Sequence, residues 1–156
     1  MAGTLTLTAL RGIPSIVPGD DLCEVIVSSL AATDETLTQG DILVVAQKIV
    51  SKAEGRIVDL ASVTPGDKAR TLAEATGKDA RMVELILSES RSIIRSKPGV
   101  IITEHRRGWI MANAGIDASN VDPARGAENV LLLPLDPDAS CKALRDGLQA
   151  RLGVPV

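Results

Sequence analysis

An α+β fold is predicted by three observations. TLTLTAL, residues 4–10, alternates polar and apolar residues as a half-buried strand does, whereas DILVVA (41–46) and NVLLLP (129–134) are continuous apolar runs short enough for buried strands. Apolar residues at helical spacing follow capping aspartates in several other segments. Proline and glycine clusters separate these segments, with no repeat, low-complexity stretch or linker. The expected architecture is a mixed sheet with helices packed on it, in one domain over residues 1–156.

The elements follow in order. After TLTLTAL, Pro14, Pro18 and Gly19 force a loop. Asp20 or Asp21 caps a helix running to about Ala31, with Leu22, Val25, Ile26, Ser29 and Leu30 on one face. Gly40-Asp41 turns the chain into DILVVA. QKIVSKAEGR then allows a turn of helix stopped by Gly55, and RIVDL a short strand. Residues 66–76 form a helix ended by Gly77. Asp79 caps a longer one, with the stripe Met82, Leu85, Ile86, Ile93 and Ile94, closed by Pro98-Gly99. VIITEH and GWIMAN pair as a hairpin turned at Arg106-Arg107-Gly108. Asp136 caps the last helix, with Pro137 at its first position, Cys141, Leu144, Leu148 and Leu152 on its buried side, and Gly153 at its end. Val154 to Val156 read as the start of another strand, so the sheet is expected to be incomplete at its C-terminus.

Composition narrows the function. The chain has 156 residues, 45% hydrophobic and 24% charged, as ordinary globular chains do; aromatic residues make up 1%, so Val, Ile, Leu and Ala must build the core. A net charge of −3 argues against nucleic-acid binding through phosphate contacts. No apolar run approaches the roughly 20 residues that span a membrane, and MAGTLTLTAL lacks the basic start of a signal peptide. Cys23 and Cys141 have no partner spacing, which reads as a reduced, cytoplasmic chain. There is no P-loop and no GxGxxG after a strand. His105, the sole histidine, reads as a solvated turn residue beside a charged tip, Arg106 and Arg107. With one histidine and two distant cysteines, a zinc site of the usual type is not expected.

Two stretches remain. In NAGIDASN (113–120), Asp117 offers an oxygen donor suited to magnesium or manganese, Asn120 stands three residues on, and Gly115 permits a close backbone approach. An Asx-rich turn that satisfies its own backbone explains the same residues. In QKIVSKAEGR, Lys48 and Lys52 stand four apart after an apolar run, so one helical turn puts both ammoniums on one side to hold phosphate oxygens. A solvated basic turn, with Lys52 paired to Glu54 or another carboxylate nearby, is the alternative.

RGIPSIVPGDDL, GDILVVAQKIVSKAEGR, GVIITEHRRGWIMANAGIDASNV and VLLLPLDPDAS occur in this order over nearly the whole chain. Together they resemble the coenzyme F420:L-glutamate ligase family. The resemblance implies a homodimer-forming ligase fold and GTP-dependent addition of L-glutamate to coenzyme F420-0 through gamma-linked amides, by way of an acyl phosphate. It implies a divalent cation, magnesium or manganese, and assistance from potassium. By the same resemblance the loop Ile13, Pro14, Ser15 and Ile16 contacts the nucleotide. Gln47 and Lys52 contact GTP, with Lys48 adjacent, Asn120 contacts GTP, and Asp117 binds metal. Members of the family continue into a strand whose Asp-Thr pair completes the metal site, and some carry a further reductase-like domain, whereas this sequence stops at RLGVPV. The expectation is therefore the N-terminal portion of a ligase domain. The alternative is a non-catalytic nucleotide- or metal-binding or structural fragment that needs the missing segment or a partner chain.

Overall fold

The computed structural model describes residues 3–118 and 128–155. It is an α+β structure that divides into two compact units, Met1–Gly55 with Pro134–Val156 and Arg56–Leu133.

In the first unit three helices form on local signals. α1 (Leu22–Thr33) is capped by Asp21, whose side chain accepts from the backbone N–H groups of Cys23 and Glu24. α2 (Gln47–Ala53) is short and ends before Gly55, which sits at φ +69°. α5 (Pro137–Leu152) starts on an Asp136 cap with proline in its first turn and ends at left-handed Gly153. Cys23, Ile26 and Leu30 of α1 bury against Leu148 of α5, with Leu144 and Leu152 packed around them. Each such aliphatic side chain removed from water contributes about 1.5–3 kcal/mol. Cys141, expected on this face, is exposed. Gly147 makes the close approach possible, because a Cβ there would lie 2.7 Å from Cys23 Sγ.

Two expected strands of this unit have no strand partner among the described residues. Residues 4–10 and 41–46 join no ladder among the described residues. Leu5 and Leu7 are 83% and 85% exposed, and Ile42 and Val44 are each 86% exposed, while Leu10, Leu43 and Val45 rest on the α1–α5 cluster. DILVVA therefore alternates instead of burying both faces. Val154 and Pro155 are in no strand, and Val156 lies outside the described residues.

The second unit contains both sheets. β1 (Ile57–Asp59) pairs antiparallel with β5 (Asn129–Leu131), setting Ile57 opposite Leu131 and Asp59 opposite Asn129. β2 (Ser90–Lys97), β3 (Val100–His105) and β4 (Ile110–Ala112) form an antiparallel sheet in that order. The expected mixed sheet is thus corrected to two antiparallel sheets, with no parallel pair among the described residues. Two helices, α3 (Asp67–Thr76) and α4 (Ala80–Ser88), supply Ala69, Ala73, Val83 and Ile86 to a core completed by Ile101, Ala114, Ile116, Val130 and Leu132.

The stripe expected to run from Met82 to Ile94 is broken at Glu89. Helix α4 stops there, the hydroxyls of Ser88 and Ser90 bond back to Leu85 and Ile86 carbonyls, and β-branched Ile93 and Ile94 continue in β2. Pro98-Gly99 is a hairpin turn, with Gly99 at φ +80°. The other expected hairpin forms: Ile102 faces Ala112 and Glu104 faces Ile110 across β3 and β4.

Candidate functional site

The residues singled out in the sequence fall in both units. In the first, the loop before α1 carries Ile13, Pro14, Ser15 and Ile16. Ile16 is buried and anchors the loop, whereas Pro14 and Ser15 are exposed and Ile13 is 41% exposed. The loop's shape is held by short polar links. Val17 N–H donates to Asp20 Oδ2 at 2.8 Å, and Gly12 takes φ +75° where the chain turns in. At its exit Gly19 N–H donates to the Ala53 carbonyl at 2.9 Å, which joins the loop to the last residue of α2. The structure therefore brings the expected nucleotide loop and the helix bearing Gln47, Lys48 and Lys52 into one unit.

On α2 the spacing of four acts twice. Lys48 and Lys52 share one side of the helix, as the sequence implied. Gln47 donates from Nε2 to Ser51 Oγ, and Ser51 is fully buried. This bond fixes one end of the Gln47 amide; the sequence reading passed over Ser51, for which the i, i+4 pair with Gln47 was the available signal. Lys52 is half-buried and forms no ion pair among the described residues. Glu54, the carboxylate named as one alternative partner, is occupied elsewhere: it accepts from Leu135 N–H at 2.9 Å and from the Ser140 hydroxyl, beside the N-terminus of α5, where a negative charge is favoured. A cleft of about 330 Å³ lies near these groups, lined by Asp20, Asp21, Val50, Glu54, Ser140 and Leu144 among others. None of the described residues expected to contact nucleotide or metal lines it, and its carboxylates do not suit a phosphate.

In the second unit, Asn113, Ala114 and Gly115 take φ +52°, +53° and +73° in succession. Left-handed conformation costs about 1–2 kcal/mol at each non-glycine residue, so this turn is held by its surroundings. Ala114 is buried in the core, and a Cβ on Gly115 would lie 2.8 Å from Leu133 Cδ1 and 3.0 Å from Met111 Sδ. Asn113 Oδ1 is buried without a hydrogen-bond partner among the described residues. Two residues later Asp117 exchanges both backbone hydrogen bonds with Leu131, at 2.9 and 2.8 Å, so β5 is bordered by Asp117 as well as by β1. The Asp117 backbone is thereby fixed. Asn120 lies outside the described residues.

The fit of a divalent cation can be tested on these donors. A carboxylate and an amide oxygen have the right hard character for magnesium or manganese. Among the described residues, however, no three acidic, histidine or cysteine side chains gather to hold a metal.

The sequence reading also missed a buried charge cluster. The Glu89 carboxylate, 9% exposed, pairs with Arg56 at 3.2 Å and with Arg106, and lies 3.6 Å from His105 Nε2. His105 is not a solvated turn residue: the inward alternation of β3 buries it with Ile101 and Thr103, and it stacks on Trp109 at 5.5 Å. Arg107 N–H donates to His105 Nδ1, so the neutral ring carries its proton on Nε2. Burial pushes the His105 pKa below its ordinary value, against the opposing pull of Glu89. The cluster ties the start of β1, the end of α4 and the β3–β4 turn together.

Comparison with known proteins places the chain. The family model for F420-0:Gamma-glutamyl ligase matches residues 12–156. The coenzyme F420:L-glutamate ligase of Methanopyrus kandleri is 48% identical over 99% of this chain and 59% of its own length. That of Methanothermobacter thermautotrophicus is 44% identical over 96% of this chain and 58% of its own length. The Halobacterium salinarum protein of the same name is 40% identical over 95% of the chain. The chain thus spans about three fifths of the length of the curated relatives it matches. No described helix is long and apolar enough to cross a membrane. From the family match and these identities, the chain belongs to the F420-0:gamma-glutamyl ligase family.

Proposed function

We propose that this chain contributes the nucleotide-facing part of a ligase that adds L-glutamate to coenzyme F420-0 with consumption of GTP. The observation that carries the reading is the 48% identity over 99% of the chain to a relative named for that reaction. In the proposed reaction an acceptor carboxylate oxygen attacks the terminal phosphorus of GTP, giving an acyl phosphate and GDP. The glutamate amine then attacks the acyl carbon, loses a proton, and expels phosphate to leave the amide. The loop Ile13–Ile16, exposed at Ile13, Pro14 and Ser15, offers backbone N–H and C=O groups to the guanine edge. Gln47 and Lys52, with Lys48 beside them, meet the phosphates, where a charged ammonium stabilises the transferring group. Asn120 is a further nucleotide contact.

Asp117 is proposed as one ligand of a magnesium or manganese ion, with the remaining ligands supplied from beyond the described residues. Potassium assistance and a homodimer belong to the same reading. A second reading is favoured by the lack of a three-ligand acidic, histidine or cysteine group among the described residues: binding of GTP by this chain without turnover.

The test combines calorimetric titration of the chain with GTP and Mn²⁺ and a mass-spectrometric assay for glutamylated F420-0. Product that requires GTP supports the ligase reading. Metal-dependent GTP binding without product supports the second. Neither binding nor product overturns both.

A further inference from the structure

The second unit carries a row of cations on the outward face of its three-stranded sheet. Along β3, Ile101, Thr103 and His105 are buried on the core side, so Val100, Ile102 and Glu104 face outward. Residues paired across an antiparallel ladder share a face. Lys97 pairs with Val100 and Arg95 with Ile102, while Arg91, at a register shift, reaches Glu104 at 3.7 Å. The shifts between Ser90 and Ser92 and between Ile93 and Arg95 therefore set Arg91, Arg95 and Lys97 at successive outward positions, opposite Glu104, Ile102 and Val100. One such step is about 6.6 Å. All three side chains are exposed. Arg91 is shared with Glu104, which also accepts from the Ser92 hydroxyl at 3.1 Å. The side chains of Arg95 and Lys97 have no hydrogen bond or ion pair among the described residues. Ile102 and the 59% exposed Ile110 add aliphatic surface to the same face. Charge on an edge strand discourages pairing with another chain, but that role needs neither a common face nor an even step.

We propose that this face binds a glutamyl end, one amide-linked glutamate with its two carboxylates, and that Arg95 and Lys97 anchor it. The inference rests on the ligase reading, whose reaction makes such an end. The two carboxyl carbons are separated by four carbon–carbon bonds, about 5 Å when extended, which two flexible cationic side chains rooted about 6.6 Å apart can span. Arg95 offers a planar fork to one carboxylate and Lys97 a compact charge to the other. The methylenes between the carboxylates meet Ile102 and Ile110. Glu104 offsets the charge of Arg91, so the cationic step is the one from Arg95 to Lys97. Amide formation removes the ammonium charge of free L-glutamate. The glutamyl end therefore brings two uncompensated negative charges, and it suits this face better than the free amino acid does.

The experiment is an NMR titration of the isotope-labelled 156-residue chain with coenzyme F420-0 and with its mono-glutamylated form, without nucleotide or metal. The probes differ by one glutamyl unit, so the ratio of their affinities isolates what that unit contributes. The expected result is tighter binding of the glutamylated form, with resonance shifts on β2 and β3. The ratio should fall about three- to five-fold for each cation removed in Arg95→Gln and Lys97→Gln, the upper range for an exposed ion pair. Both side chains are exposed, so these variants should melt as the parent does. Lys68→Gln makes the same charge change on the exposed side of α3 and should keep the parent ratio. No binding of the glutamylated form, equal affinity for the two probes, or an unchanged ratio in the double variant overturns the inference. Shifts confined to α2 overturn it too, by assigning the glutamyl end to Lys48 and Lys52. Displacement of the glutamylated probe by equimolar L-glutamate would make the free amino acid the occupant, and would likewise overturn it. No ligation step is read, so a negative result here leaves the ligase reading intact, and absence of product in the glutamylation assay would leave the binding result standing.

Discussion

Replacing Gly115 with alanine tests whether the left-handed turn before Asp117 is held by packing. Two penalties act at this position. Alanine at φ +73° loses about 1–2 kcal/mol relative to glycine. The new Cβ would also lie 2.8 Å from Cδ1 and 3.0 Å from Cγ of Leu133, which is itself buried, and 3.0 Å from Met111 Sδ. Overpacking of this kind costs about 1–3 kcal/mol. The sum is about 3 kcal/mol, or a urea midpoint lower by roughly 1.5 M at a slope of about 2 kcal/mol/M. Trp109, the only tryptophan, lies in the same unit and stacks on His105, so its fluorescence reports this unit's unfolding. Gly99→Ala is the control. It has φ +80° but nothing within 4 Å of the added Cβ, so it should lose the backbone penalty alone. If Gly115→Ala and Gly99→Ala destabilise equally within about 0.5 kcal/mol, packing does not hold the turn and the argument fails.

Other expectations can be checked alongside. Glu89→Ala should destabilise the second unit by about 3–5 kcal/mol in the same urea assay, because it strands Arg56 and its neighbours without their shared carboxylate; a loss below about 1 kcal/mol would show the cluster to be incidental. Burial depresses the folded pKa of His105 below its ordinary value, so the unfolded chain binds the proton more readily. Its contribution to stability is present above about pH 6.5 and is lost as pH falls through the folded pKa; His105→Gln should flatten that part of the stability-against-pH curve. Gly147→Ala should lower the melting temperature followed by circular dichroism despite alanine's better helix propensity, since its Cβ would meet Cys23 Sγ at 2.7 Å; Cys23→Ala should recover part of the loss, and additive effects would count against the contact. Under the proposed reaction, Lys52→Gln should weaken GTP binding about 10- to 100-fold, the size of a charge-assisted hydrogen bond, and Asp117→Asn should abolish its dependence on Mn²⁺. Calorimetry showing parent-like binding in both would remove these residues from the site.

The sequence by itself determined the features whose causes are local. Asp21, Asp79 and Asp136 cap helices because their carboxylates reach N–H groups two or three residues on, whatever the rest of the chain does. Gly77 and Gly153 end helices because left-handed backbone suits glycine. The hairpin of β3 and β4 and the shared side of Lys48 and Lys52 were legible for the same reason, since they depend on spacing alone. The four motif blocks likewise located the family without any structure.

What only the tertiary structure decided depends on distant neighbours. Whether 90–97 continues α4 or becomes β2 turns on Glu89, whose carboxylate is drawn to Arg56 and Arg106, residues 33 and 17 positions away. His105 reads as a turn residue until β3 alternation carries it inward against Glu89 and Trp109. Cys141 carries the helical period of the buried face yet stays exposed, because on α5 the packed face runs through Leu144, Leu148 and Leu152 and does not reach it. TLTLTAL and DILVVA carry strand patterns, but a ladder needs a second backbone alongside, and no residue's own sequence can supply that. Capping and turns are settled within a few residues, whereas burial, pairing and charge compensation are settled by what the fold brings next to them.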